Sequence, residues 1–253
     1  MIVLKSAREV ERMRTAGRIL ADVKERLRSL VRAGVSTWDI DQDIDAFIGS
    51  RGARSAFKGY RGYPATVCTS INHEVVHGIP SPKRKLREGD IIGLDLGCIV
   101  DGYYADCAIT LSVGPVPPRV QELLDVTRES LDKAIVQCRA GNHVGDISHA
   151  VQSHCESHGF GVVRSFVGHG IGKELHEEPQ VPNFGEPGRG KVLKVGMVLA
   201  IEPMVTMGGW DVQVLADGWT AVTVDGSLAA HFEDTIAITD DGPDVLTRSG
   251  QAG

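Results

Sequence analysis

Long apolar stretches are missing from this 253-residue chain: no run reaches the roughly 18 residues that a membrane-spanning helix needs. The first residues carry Lys5, Arg8 and Glu9 and no apolar h-region, so no secretion signal is expected there. Paired cysteines are missing too. The five present (Cys68, Cys98, Cys107, Cys138 and Cys155) are odd in number, scattered and without a C-x-x-C pair, which excludes a disulfide framework and a zinc knuckle and points to a reducing cytoplasm. Nor is there an excess of cations. With 27 Lys and Arg against 33 Asp and Glu the net charge is −6, which argues against nucleic acid as the main partner. What remains, 42% hydrophobic and 24% charged, is the composition of a globular protein with one large core or two halves sharing an interface.

The chain opens on helical signals. Ser6-Ala-Arg-Glu9 is a capping box, and Val10, Met13, Ile19, Leu20, Val23, Leu27 and Leu30 follow at helical spacing to about Arg32, before Gly34. A second helix is expected from near Thr37, presenting Ile40, Ile44, Phe47 and Ile48 and ending at Gly52. Residues 53–64 read as an irregular loop bearing Tyr60 and Tyr63, and from Thr66 the period changes to that of strands. Near the middle, Pro115-Val-Pro-Pro118 reads as a boundary, followed by two helices, about Arg119–Cys138 and Val144–His158. His143, His149, His154 and His158 lie in or beside them without glycines or grouped acids, and read as solvated or satisfied histidines.

Between these regions lies a hairpin whose register is informative. Asp101-Gly102 between apolar runs predicts a type I′ turn, so Val100 faces Tyr103 and Gly97 faces Asp106. Asp95 then shares a face with Asp106, diagonal to it at a Cβ separation of roughly 6–8 Å. The strand around Asp95 is almost wholly apolar, so a carboxylate there needs a partner.

The stretch Val167–Pro179 (VGHGIGKELHEEP) puts Gly168, Gly170 and Gly172 within five positions and His169 and His176 seven apart. Its glycines predict a backbone that bends sharply and comes close to something, with two imidazoles at one place. The alternative is a glycine-rich turn with two solvated histidines. Further on, Val195–Met204 buries Glu202 in an apolar strand that Pro203 terminates, and Trp219–Val224 with Ala229–Thr239 reads as the last paired run, carrying Glu233. The order helix, helix, strands with an embedded carboxylate thus occurs twice, which predicts an α+β architecture of two similar halves, about 1–115 and 116–253, facing one site in a single catalytic domain.

Asp95, Asp106, Glu202, Glu233 and His169 all come from settings where a bare charge is expensive. One divalent ion would hardly use five such ligands, whereas two ions bridged by carboxylates would. Oxygen-rich ligation with one nitrogen and no thiolate suits Mn, Co, Fe(II) or Zn. A water between two such ions is suited to hydrolysis of an amide.

These residues resemble a known family. Ser70-Ile-Asn with His77-Gly-Ile-Pro80, Asp95 through Asp106, Gly168-His-Gly-Ile-Gly with His176-Glu-Glu-Pro179, Ile201-Glu-Pro-Met204 and Phe232-Glu233 together resemble type I methionine aminopeptidases of the pita-bread fold, from about Ser6 to Leu246. The resemblance implies that Asp95, Asp106, His169, Glu202 and Glu233 bind two metal ions, with Asp106 and Glu233 bridging. It implies that Glu202 acts as general base and acid, that His77 contacts the scissile nitrogen, and that His176 stabilises the carbonyl oxygen. Tyr60, Tyr63, Cys68 and Trp219 would build the apolar methionine pocket. It further implies a monomeric cytoplasmic enzyme acting on the N-terminus of peptides and nascent chains, with the ribosome as a further partner and no membrane.

Several positions depart from the family pattern. Phe57 stands where a small residue is expected, Leu175 where an aromatic often precedes the histidine, Gly97 in place of Thr or Ser, His231 in place of Gln and Asp234 in place of His. Gly97 and Asp234 look more like the prolidase branch of the fold. Two rivals follow: an X-Pro aminopeptidase or prolidase, and a metal-free pita-bread protein that only binds partners. Glu202-Pro-Met204 argues against the first, and the complete ligand set against the second.

Overall fold

The computed structural model describes residues 2–249. Helix α1 (Ala7–Leu30) starts at the predicted box: Ser6 Oγ accepts from the Glu9 N–H, and the Glu9 carboxylate accepts from the Ser6 N–H at 2.9 Å. Helix α2 (Thr37–Ser50) repeats the device with Ser36 and Asp39. Both place their apolar faces in one core with the hairpin Ile91–Val100 and Tyr103–Ser112. That hairpin has the predicted register, Val100 opposite Tyr103 and Gly97 opposite Asp106. Its turn residues Asp101 and Gly102 have φ of 49° and 79°, as a type I′ turn demands. On the other side of the first strand, Cys68 lies opposite Asp95. The region read as irregular contributes a two-residue strand, Arg54–Ser55, to the same antiparallel sheet.

The second half repeats the order with α3 (Pro118–Val136), α4 (Val144–Ser157) and a five-stranded antiparallel sheet. His154 and His158 stand beside Glu129 and Glu122 on α3, at 3.2 and 3.4 Å, away from any cavity wall of interest. The chain is therefore α+β with the pita-bread arrangement of two pseudo-symmetric halves, each an antiparallel sheet covered by a helix pair.

Two expectations need correction. The segment Gly168–Gly170 does not bend sharply: it is an extended strand inside the five-stranded sheet, with a register shift between His169 and Gly170. Its glycines serve close approach, because a Cβ on Gly168 would lie 2.4 Å from Ala200 O and one on Gly170 2.3 Å from Glu178 O. Likewise, Ala221–Thr223 and Ala229–His231 do not pair with each other. The first pairs with Val212–Val214 and Glu74–Val76, and the second with Met204–Thr206. Alternating apolar patterns place both as strands but carry no information on their partners. The strand Val198–Ile201 belongs to the large sheet, and Met204–Thr206 to a small one. Glu202-Pro203 is the crossing between them.

The halves meet along a seam. Ala108 and Glu233 exchange backbone hydrogen bonds at 3.3 and 3.0 Å. On one side the Thr235 hydroxyl accepts from Asp106 N–H and donates to Asp106 C=O, at 3.0 and 2.8 Å. On the other side the Thr110 hydroxyl makes the same pair of bonds with His231, both at 2.8 Å. Where the strands diverge, a side-chain hydroxyl replaces the missing ladder bonds. Thr235→Val would leave buried backbone groups of Asp106 unpaired, which costs about 1–3 kcal/mol. It should lower the thermal midpoint by several degrees, while Thr235→Ser keeps the hydroxyl and most of the stability; equal midpoints for Val and wild type would refute the clamp.

Candidate metal centre and substrate pocket

One cavity of about 200 Å³ is lined by all five proposed ligands, Asp95, Asp106, His169, Glu202 and Glu233, and by His77, His176, Tyr60, Tyr63, Cys68 and Trp219. Phe57, Arg61 and Leu175 complete its wall. A cleft of about 280 Å³ lies behind Glu233, between α1 and α3, but its inner cations Lys24 and Arg248 are already held by Asp234.

The five groups arrive from both halves: Asp95 and Asp106 from the two arms of the hairpin, His169 from the strand Gly168–Gly170 of the large sheet, Glu202 from just past the end of its central strand Val198–Ile201, and Glu233 from just before the strand Asp234–Thr239 on the other side of that central strand. One donor atom from each of Asp106, His169 and Glu233 lies within 4.8 Å of the other two. His169 Nε2 is 3.5 Å from Glu202 Oε1. Its other nitrogen, Nδ1, is 2.9 Å from the Gly170 carbonyl. A carbonyl only accepts, so Nδ1 carries the proton and Nε2 offers a lone pair toward the acids.

The acids lack countercharge. Asp95 Oδ1, Asp106 Oδ1, Glu233 Oε1 and His231 Nε2 are buried and have no hydrogen-bond partner among the described residues. Burial pushes the Asp106 carboxyl up to about 7, although the Cys107 N–H holds it down in part. Burial and the neighbouring acids raise Asp95, Glu202 and Glu233 well above the ordinary carboxylate range. Burial, with a smaller contribution from His176, lowers His169 to about 3, so its imidazole is neutral. Four crowded acids, three of them with an orphaned oxygen, and one neutral imidazole fit a divalent cation site. Cys68 adds no thiolate, since burial raises its pKa well above the usual value.

The remaining wall divides in two. Near the acids, His77 holds a left-handed backbone at φ 62°, with its ring edge-on to Phe166 and Trp219 at 5.3 and 6.3 Å. A non-glycine residue in that region is strained and clusters at working sites. Burial, then His176, lowers its pKa to about 4. His176 Nδ1 lies 2.8 Å from the Tyr60 hydroxyl, and its ring is 4.3 Å from that of His169. The apolar part is built by Phe57, Tyr63, Cys68 and Leu175, each 8% exposed or less. Tyr63 donates to Gly78 C=O at 2.9 Å and packs edge-on against Trp219.

The departures in sequence have separate outcomes. A Cβ on Gly97 would lie 3.2 Å from the Phe57 ring, 3.0 Å from Ala56 Cβ and 3.1 Å from Ala105 O. The Phe57 ring thus shares with Ala56 and Ala105 the space that a side chain at 97 would need. Asp234 does not join the donors, because Lys24, Thr247 and Arg248 bind its carboxylate at 2.6–2.7 Å. His231 was noted in the sequence without a role. It is 2% exposed, with Nε2 3.7 Å from Glu202 Oε2. Arg61 in the wall had no sequence signal.

The raised carboxyl values have a consequence for protein stripped of divalent ions. A folded-state pKa above the unfolded one stabilises the fold at low pH and is lost as pH rises through it. For Asp106 that window runs from about 4, the ordinary carboxylate value, to about 7. Chelator-treated protein should therefore lose stability on this account between about pH 4 and pH 7, so that added Mn²⁺ raises the thermal midpoint more at the upper end than at the lower; equal Mn²⁺ stabilisation at both ends would count against a centre of crowded acids.

Comparison with known proteins agrees with this chemistry. A profile of metallopeptidase family M24 matches residues 11–240. The methionine aminopeptidase of Clostridium acetobutylicum is 51% identical over 98% of this chain and 99% of its own length. Methionine aminopeptidase 1 of Bacillus subtilis is 50% identical, over 98% of this chain and 100% of its own length. The crystal structure of a Thermotoga maritima methionine aminopeptidase superposes with a TM-score of 0.97 at 48% identity, covering 98% of this chain and all of that one. A Pyrococcus furiosus prolidase, 22% identical, shares the fold with a TM-score of 0.78 over 98% of this chain and 66% of its own. With its cavity of acids and neutral imidazole and its full-length likeness to these enzymes, the chain belongs to the methionine aminopeptidases of metallopeptidase family M24.

Proposed function

We propose that this protein removes the N-terminal methionine from peptides and nascent proteins with a small second residue, using two divalent ions that Asp95, Asp106, His169, Glu202 and Glu233 would hold between them. The observation that carries this reading is the set of buried acids without protein countercharge beside an apolar pocket. Divalent ions there supply Lewis acidity and make water ionisable near neutral pH, and Co, Mn, Fe(II) and Zn all suit the donors.

The chain's own groups do the rest. Glu202 takes up the proton of the attacking water and passes it to the leaving nitrogen. His77, kept neutral by burial, holds the scissile amide nitrogen. With Nδ1 engaged by Tyr60, the free edge of His176 stabilises the carbonyl oxygen as charge develops on it. Tyr60, Tyr63, Cys68 and Trp219, with Phe57 and Leu175, enclose the methionine side chain. Residues from both halves converge on these roles, which supports reading the chain as one catalytic domain. Five buried free thiols support a reducing cytoplasm, where the substrate would be the end of a chain leaving the ribosome.

With added Mn²⁺ or Co²⁺ the protein should release Met from Met-Gly-Met and leave an X-Pro peptide intact. Cleavage of only the X-Pro peptide would overturn the methionine assignment, and cleavage of neither would make the protein a binder. Asp106→Ala and Glu233→Ala should each lose at least about a hundredfold in kcat, and His77→Ala should lower kcat with the metal content unchanged. The pocket wall gives a second test. Gly97→Thr pushes on Phe57 and should raise KM for Met-Gly-Met by about tenfold, the scale of a methylene-sized misfit. Adding Phe57→Cys should reverse the part of that loss due to the ring, leaving the part due to Ala56 and Ala105; an unchanged KM in Gly97→Thr would refute the coupling.

A further inference from the structure

His176 lies in a loop whose outer side is fastened by a residue far away in sequence. Lys5, just before α1, has its side chain 4% exposed and forms an ion pair with the Glu177 carboxylate, whose side chain is 12% exposed. The Lys5 ammonium also donates to Val3 C=O at 3.0 Å, and the Lys5 N–H donates to Gly196 C=O at 2.7 Å. The lysine is thus anchored at its backbone to the second half before its side chain reaches Glu177.

Glu177 uses its two oxygens differently. Oε2 meets Lys5, while Oε1 accepts from the N–H groups of Lys173 and Glu174 at 2.8 and 3.3 Å, closing the turn that leads to His176. The turn itself is built around this pair. A Cβ on Gly172 would lie 2.4 Å from Lys5 Cε and 2.6 Å from Glu177 Oε1. Gly172 C=O is taken by the Tyr104 N–H at 2.8 Å, which ties the turn to the hairpin. His176 is therefore held between two fixed neighbours, Leu175 at 2% exposure in the apolar wall and Glu177 in the ion pair.

Buried ion pairs add little net stability, because desolvation offsets most of their attraction, so the geometry of the Lys5–Glu177 pair and the turn it closes matters more here than its energy. We propose that Lys5 is a positioning residue, which through Glu177 sets the place of the His176 imidazole against Tyr60 and the reacting carbonyl. The inference rests on the role given to His176 above. Its alternative is that the pair only fastens the N-terminal segment to the body of the protein.

A double-mutant cycle on holoenzyme loaded with Mn²⁺ separates the two. Lys5→Met should lower kcat on Met-Gly-Met by about tenfold, the order expected for a displaced catalytic group, with KM and bound Mn²⁺ within about twofold of wild type. In a His176→Ala background the same substitution should change kcat by less than about twofold, since the group it positions is gone. An equal loss in both backgrounds, or wild-type kcat in folded Lys5→Met, would overturn the proposal. Glu177→Gln keeps acceptors for Lys173 and Glu174 but removes the charge, and should reproduce the loss even if Lys5→Met fails to fold; wild-type kcat in this variant would also overturn it. If His176→Ala alone keeps wild-type kcat, the fault lies with the role of His176 instead, and the single variant shows it.

Discussion

Four carboxylates held out of water without a protein cation among them are the constraint to which the rest of this structure answers. Asp95, Asp106, Glu202 and Glu233 repel one another, and the first, second and fourth each bury an oxygen with no hydrogen-bond partner among the described residues, so the group would relax outward if its backbone allowed it. It is not allowed. Asp95 and Asp106 are locked by a hairpin with ten residues in each arm, covered by α1 and α2, and Glu233 is pinned by exchanged backbone bonds with Ala108. Glu202 sits where the chain leaves one sheet for another, with Pro203 ending the first ladder. The scaffold holds the charges close together, and affinity for a divalent cation is the counterpart of that enforced crowding.

Much of this was legible in the sequence where the deciding interactions are local. Asp101-Gly102 fixed the turn, the turn fixed the register, and a period of two carried Asp95 and Asp106 to one face. The capping boxes at Ser6 and Ser36 set the helix starts for the same reason: both partners lie within three residues. Partners separated by most of the chain were not legible. The reach of Lys5 to Glu177, the clamp of Thr235 on Asp106 and the sheet assignment of Ala221–Thr223 depend on a packing that no local pattern encodes. The glycines around His169 were half legible. Their number announced a special backbone, but close approach across a sheet and a sharp bend look alike in sequence.

The substrate wall shows how a residue that looks foreign to its surroundings can be native to them. Phe57 would crowd a strand bearing a branched side chain at 97, yet against Gly97 its ring lies flush with the hairpin. Asp234 is another case: beside a ligand in sequence, it faces the opposite way and holds Lys24 and Arg248. It is the ion pairs on the far side, with Lys24 and Arg248, that keep Asp234 out of the donor set.

The seam between the halves carries one more implication. Thr110 stands four positions after Asp106, as Thr235 stands four after His231, and each hydroxyl grips the backbone of the other strand's earlier residue. The pattern is unchanged when the two strands are exchanged. Such a contact is isologous, the kind that two identical polypeptides make about a dyad. Two separate chains carrying one such segment each would hold the same polar pairing, so the seam needs no covalent link between the halves to be specific.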